Sequence, residues 1–299
     1  MLKEFAVEPA LLSTWEQFRY LIEKFGVSEG RLISRYPKRW KQMVYDALGG
    51  CSEMDRKRIE VRLQNLDEKM MARSHEWDAA RDWLTNAEKE HGTRPFDGIV
   101  AAQNPRAHPA VIPVAELDDG VGIWRVSREV VVPREARAIA GAMRPLLQLS
   151  RRIVFVDPHF SPYNPRARAA LAACMAQICS RANQVPIESI EFHTSFRPGI
   201  ARFAEECLSR LPNQVPRDRV LRIVCLSARA GGDGLHNRYV LTERGGVSLR
   251  WGLDEGAQGE TDDLSLLDRD VYSTRWGQYC GPNPAFDLVT ETIVIGTAR

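Results

Sequence analysis

The stretch between residues 152 and 226 constrains the fold more than any other part of the chain. Arg152-Ile153-Val154-Phe155-Val156 is a continuous apolar run ending in the polar turn Asp157-Pro158-His159. Such a run suits a strand buried on both faces, because a half-exposed strand would alternate apolar and polar residues. An alanine-rich segment from about residue 165 to 182 then follows at helical spacing. Further apolar runs at 187–192 and 220–226 are separated by a helix-like segment at 199–211. Strands alternating with helices give a sheet with helices on its faces, so the α/β class is expected. In such sheets the carboxyl ends of the strands face the ligand crevice, which makes Asp157 and His159 candidate site residues.

The segment after these strands carries candidate chemistry. Leu235-His236-Asn237-Arg238-Tyr239-Val240-Leu241-Thr242-Glu243 sets a histidine, a cation two residues on and a carboxylate five further along at the mouth of an apolar run. Alternate side chains of a strand share a face, so His236 and Arg238 are expected together, with Asn237 and Tyr239 opposite. An imidazole can attack phosphorus and carry a phosphoryl group, and a guanidinium can fork two non-bridging oxygens. Glu243, just past the run, is placed to orient the imidazole. Gly245-Gly246 reads as a turn and residues 247–251 as a second strand.

This layout resembles the His-x-Lys-x4-Asp signature of the phospholipase D superfamily, with Arg238 in the lysine position and Glu243 in the aspartate position. Gly252-Leu253-Asp254-Glu255 falls where that family places Gly-Ser-x-Asn. The resemblance covers roughly the last half of the chain. It implies a phospholipase D-like mixed sheet flanked by helices, and a phosphodiesterase or nuclease that works through a covalent phosphohistidine without metal or other cofactor. His236, Arg238 and Glu243 would be catalytic, with Asn237, Asp254, Glu255, Asp157 and His159 binding substrate. Members of the family need two motifs, and none of His75, His91, His108, His159 and His193 is followed by a cation and a carboxylate at the right offsets. The second half-site is therefore expected from another copy, as a symmetric homodimer. DNA or RNA is the implied partner. Proteins of this kind with an accessory helical region often belong to bacterial DNA-handling or defence operons.

The first third reads as helical. Ser13 or Thr14 can cap a helix carrying Phe18, Leu21, Ile22 and Phe25, which Gly26 can end. Further helices are expected at 38–48 and from 55 to about 87, the latter with Ile59, Leu63, Leu66, Met70 and Trp77 as its apolar stripe. A boundary near Gly92 then separates a small helical N-terminal region, residues 1–92, from a phospholipase D-like domain at 93–299. Arg35-Tyr36-Pro37-Lys38-Arg39-Trp40-Lys41 and Arg56-Lys57-Arg58 give the first region basic runs for a partner protein or nucleic acid, although interspersed acids also suit a plain solvated face. Residues 103–113, with three prolines, read as a loop, 124–132 as a strand and 134–149 as a helix.

Composition excludes little. The chain has 299 residues, 44% of them hydrophobic, and a net charge of +2, which neither demands nor excludes a polyanion. No run approaches the length of a membrane span, and the start lacks a signal-like pattern, so a cytoplasmic location without membrane contact is expected. Six cysteines include no Cys-x-x-Cys pair, which points to structural thiols and away from zinc. Two alternatives stand beside the nuclease. One is a non-catalytic phosphate or nucleic-acid binding module that recruits partners. The other, phospholipid hydrolysis, is disfavoured by the lack of a basic amphipathic interfacial helix.

Overall fold

A computed structural model describes residues 1–73, 75–120, 122–180, 186–195 and 199–296. The chain forms two compact units, Leu2–Arg128 and Glu129–Arg299. The α/β class is observed in both.

The first unit runs β1 (Lys3–Val7), α1 (Trp15–Glu23), β2 (Arg31–Ser34), α2 (Trp40–Asp46), α3 (Glu53–Gln64), β3 (Met70–Met71), α4 (Trp83–Thr93), β4 (Gly98–Ala101) and β5 (Val111–Pro113). Its strands pair in parallel in the order β3-β2-β1-β4-β5. The two-residue period of β1 divides the core: Phe5 and Val7 pack with Phe18, Trp40, Val44 and Ile59, whereas Ala6 packs with Trp83, Ala87 and Ile99. Helices therefore cover both faces of this sheet.

That architecture corrects the expected helical region of residues 1–92 and its boundary, which lies instead between Arg128 and Glu129. The helix expected from 55 to 87 also does not exist as one element. Asn65, a residue that favours helix C-termini, ends α3, and its side chain donates to the carbonyl of Val61. Leu66 and Met70 are buried as the periodicity implied, but Met70 and Met71 pair with Ile33 and Ser34 at the sheet edge. Helical spacing identified what is buried and missed that a sheet edge buries it. At the other end of the unit the cap is as expected: the Thr14 side chain accepts from the Gln17 N–H at the start of α1.

The second unit contains β6 (Glu129–Pro133), α5 (Ala136–Ala142), α6 (Arg144–Leu149), β7 (Arg152–Val156), α7 (Pro165–Cys179), β8 (Ser189–Ser195), α8 (Ile200–Arg210), β9 (Leu221–Ala228), β10 (Tyr239–Thr242), β11 (Gly245–Leu249), β12 (Thr261–Leu266), α9 (Arg269–Cys280), β13 (Phe286–Leu288) and β14 (Ile293–Ile295). Its described strands form a mixed sheet in the order β13-β9-β8-β7-β10-β11-β12-β6, with β14 also on β9. Strands β7, β8 and β9 are parallel, and β10 returns antiparallel to β7. Ile153, Val154, Phe155 and Val156 are all buried, as a strand covered on both faces requires. Pro165 opens α7 behind an Asn164 cap that accepts from the Arg166 N–H, and Ala167, Ala170, Leu171, Cys174 and Ile178 form its buried stripe. The end expected for this helix near residue 182 lies outside the described residues.

The β10–β11 hairpin departs from expectation in a way that shapes the site. Thr242 pairs with Gly245, so the turn is Glu243-Arg244, and Gly245-Gly246 lies within β11. Gly246 serves close packing there, since a Cβ would come within 2.8 Å of Leu241 Cδ2 and 2.9 Å of Leu267 Cδ1.

Candidate functional site

The return of β10 beside β7 brings residues 236–238 to the carboxyl end of β7. Tyr239 pairs with Val156, so Arg238 enters the sheet beside Asp157. An open cleft of about 310 Å³ lies here, lined by His236, Asn237, Arg238 and Tyr239 from the approach to β10, Ser248, Leu249 and Arg250 from β11 and its end, and Asp263, Ser265 and Glu129 from the neighbouring strands. The floor follows from strand register. Tyr239 pairs with Ser248, Ser248 with Ser265, and Ser265 with Glu129, so one polar row crosses four strands. The Ser265 hydroxyl donates to Glu129 at 2.9 Å, and Arg250 pairs with Asp263 at 3.1 Å.

His236 and Asn237 are exposed, and neither side chain has a hydrogen bond or ion pair among the described residues. Arg238 is the anchored member of the trio. Its Nη1 reaches the Arg250 carbonyl at 3.5 Å, and its Nε lies 3.8 Å from Asp157, buried and without a hydrogen bond. Both contacts are longer than a good charge-assisted hydrogen bond. The guanidinium thus retains donor capacity. Gly252, at a φ of +125°, lets the chain pass closely, because a Cβ there would fall 2.7 Å from Asp157 Oδ2 and 3.2 Å from Arg238 Cδ.

Asp157 is a buried hub. Its Oδ1 accepts the His159 N–H at 2.8 Å, its Oδ2 accepts the Leu253 N–H at 3.2 Å, and it faces Arg238. It orients the loop and the guanidinium and does not itself line the cleft. The His159 ring is exposed at the same end of the sheet, outside the cleft lining.

The three remaining acidic candidates are used elsewhere. Glu243 sits beyond the far end of β10, roughly 20 Å from His236 at the rise of an extended strand. Its two oxygens accept the N–H groups of Arg151 and Arg152 at 2.9 Å each, tying the hairpin to the start of β7. It cannot orient the imidazole, which corrects the catalytic role expected for it. Asp254 accepts from Arg134 at 2.7 Å, and Glu255 accepts the Ala136 N–H at the start of α5, so neither lines the cleft as a substrate ligand. In place of these acids, the cleft holds Ser248, Arg250, Asp263, Ser265 and Glu129. A period-two alternation around Leu249 and Leu264 marks Ser248 and Arg250, and Asp263 and Ser265, as sharing a polar face.

Arg134 is held by Asp254 at 2.7 Å and Glu260 at 2.9 Å. Asp262 is fully buried, and burial raises its carboxyl above the usual range while the N–H groups of Trp251 and Asp263 pull the other way. Elsewhere on the sheet, the buried His193 ring bonds Glu191 at 2.9 Å, which lowers the Glu191 carboxyl. Among the described residues, no cluster of histidine, cysteine or acid side chains is arranged to hold a metal, and no helix is long and apolar enough to cross a membrane.

No family model and no curated protein matches the chain. Among solved structures it is similar to TrmBL2, an archaeal chromatin protein whose structure shows a novel mode of DNA binding, at a TM-score of 0.28 and 12% identity. That match covers 52% of this chain and 53% of the other, so the chain spans about half the length of that structure.

Proposed function

We propose that the second unit is a phosphodiesterase acting on nucleic acid, with His236 as nucleophile and Arg238 as phosphate clamp. The observation that carries this is the state of those two residues: an imidazole with no hydrogen-bond partner and, two residues on, a guanidinium whose contacts are long, both residues lining one open cleft. An incoming phosphate would offer the guanidinium the short, charge-assisted bonds it lacks. The imidazole nitrogen attacks phosphorus, the bond to the leaving oxygen breaks, and a phosphohistidine forms. Water then attacks phosphorus, releasing the phosphate end and freeing the ring.

The leaving oxygen needs a proton, and the cleft lining contains no second histidine. The reading therefore includes a symmetric homodimer in which a second copy's imidazole gives that proton and recovers it from the attacking water. The six cysteines are unbonded, which suits a reducing cytoplasm. The resemblance to phospholipase D-like nucleases carries with it a setting in bacterial defence or DNA handling.

A second reading, a phosphate-binding module without catalysis, is favoured by one observation: among the described residues no carboxylate orients the His236 ring. One experiment separates them. Labelled single- and double-stranded DNA and RNA are incubated with the full chain in excess chelator, alongside His236→Ala. Cleavage that needs His236 supports the phosphodiesterase. Binding without cleavage supports the module, and neither overturns both.

A further inference from the structure

Trp251 follows the cleft-lining Arg250 directly in the chain and has 59% of its surface exposed. An indole is among the largest apolar groups a chain can leave uncovered, and this one is held firmly. Its backbone N–H reaches both oxygens of buried Asp262, at 3.3 and 3.4 Å. The Arg134 guanidinium lies over the ring at 5.3 Å from its centroid, itself fixed by Asp254 and Glu260. With a cation against one face and more than half the residue exposed, the ring presents its remaining surface to solvent.

The position ties this ring to the clamp. Arg238 Nη1 points at the carbonyl of Arg250, the peptide that leads into Trp251, and Gly252 on the other side packs against Arg238 and Asp157. The exposed indole and the guanidinium proposed to hold phosphate are therefore joined through one short piece of backbone. A nucleotide has the same two parts at a short separation, an anionic phosphate and a flat base.

We propose that Trp251 is a base-stacking platform, and that the substrate of this site is single-stranded nucleic acid or an unpaired end. This rests on the phosphodiester reading of the His236 cleft and adds the substrate class. Bases in a duplex are already stacked on their neighbours, so only an unpaired base can lie on the ring. A protein partner fits the surface less well, because a protein interface needs a contiguous apolar patch. Trp251 is a single ring set among Arg250, Gly252 and the Arg134 ion pairs, while Leu253 is buried. The charges beside the ring are balanced, Arg134 by Asp254 and Glu260 and Arg250 by Asp263, so the platform offers a π-face and no net attraction for phosphate.

The test is equilibrium binding of the full chain to three fluorescent, phosphorothioate-linked probes that resist cleavage: a short oligothymidylate, an abasic strand of equal length and charge, and the matching duplex. Wild type should bind the oligothymidylate about tenfold more tightly than the abasic strand, within the range of one stacked base. Trp251→Ala should erase that preference with abasic binding and melting temperature unchanged, and Trp251→Phe should keep most of it. The tenfold gap should persist as salt rises, although total affinity falls. Equal binding of the two single strands, a preference that survives Trp251→Ala, or a Trp251-dependent preference for duplex overturns the platform and leaves the phosphodiester reading standing. If no probe binds, both fall together.

Discussion

The two ends of β10 use the same kinds of residue in opposite ways. At the turn end, Glu243 gives both oxygens to the backbone N–H groups of Arg151 and Arg152 at 2.9 Å. At the entry end, Arg238 has contacts of 3.5 and 3.8 Å, and His236 has none. One end has its hydrogen-bonding capacity satisfied within the fold, and the other keeps it for something outside. Residues that share a short sequence motif therefore need not share a site: four strand residues carry the carboxylate to the opposite end of β10. Asp254 and Glu255 repeat the lesson, since one holds Arg134 and the other caps α5.

Substitutions at the two ends should consequently separate stability from binding. Glu243→Ala should have the largest effect on folding, about 1.5 kcal/mol from two backbone donors left without an acceptor. In the thermal unfolding of the full chain this is a fall of roughly 3–6 °C, with Glu243→Gln losing about half. A loss of oligonucleotide binding without loss of stability would break the comparison from that side. Arg238→Lys should do the reverse. A lysine cannot fork two oxygens, so affinity for a single-stranded oligonucleotide should drop about tenfold, the equivalent of one charge-assisted bond, with the melting temperature held.

Glu191 sharpens the comparison, because it too is committed to the fold. The His193 ring holds its carboxyl below the usual carboxylate range. A depressed folded value means that the stabilisation is present above the unfolded value of about 4.3 and is lost as pH falls through the folded one. Glu191→Gln should therefore cost about 1 kcal/mol at neutral pH, and the gap to wild type should close in acid; a gap that widens in acid would reverse the assignment. The smallest effect on folding is expected for His236→Ala. An exposed ring without partners contributes under about 0.5 kcal/mol, and a melting temperature lowered as far as that of Glu243→Ala would show the imidazole to be structural.

Much of the second unit was legible in the sequence, and the reason is local. The strands near 152–156, 189–195 and 221–228 and the helices between them carry continuous apolar runs or helical stripes that do not depend on distant partners. The sheet of the first unit was not legible. Lys3–Val7 and Arg31–Ser34 are short strands with charged first residues, and Met70–Met71 is a strand only because β2 offers it an edge. At the site, His236, Asn237 and Arg238 were found because they are consecutive. Ser265 and Glu129 reach the cleft through cross-strand register over 136 residues of chain, which no local pattern displays. Glu243 shows the converse: its closeness to His236 in sequence hides the length of the strand between them.

The claim that His236 is a nucleophile is tested most directly by looking for the bond it should form. The full chain is mixed with a single-stranded oligonucleotide in excess chelator, quenched in alkali, where a phosphohistidine survives, and its intact and peptide masses are read. The expected result is a nucleotide or phosphoryl adduct on the peptide carrying His236, lost on brief acid treatment and absent from His236→Ala. Cleavage of the oligonucleotide with His236 unmodified, or equal cleavage by His236→Ala, would contradict it.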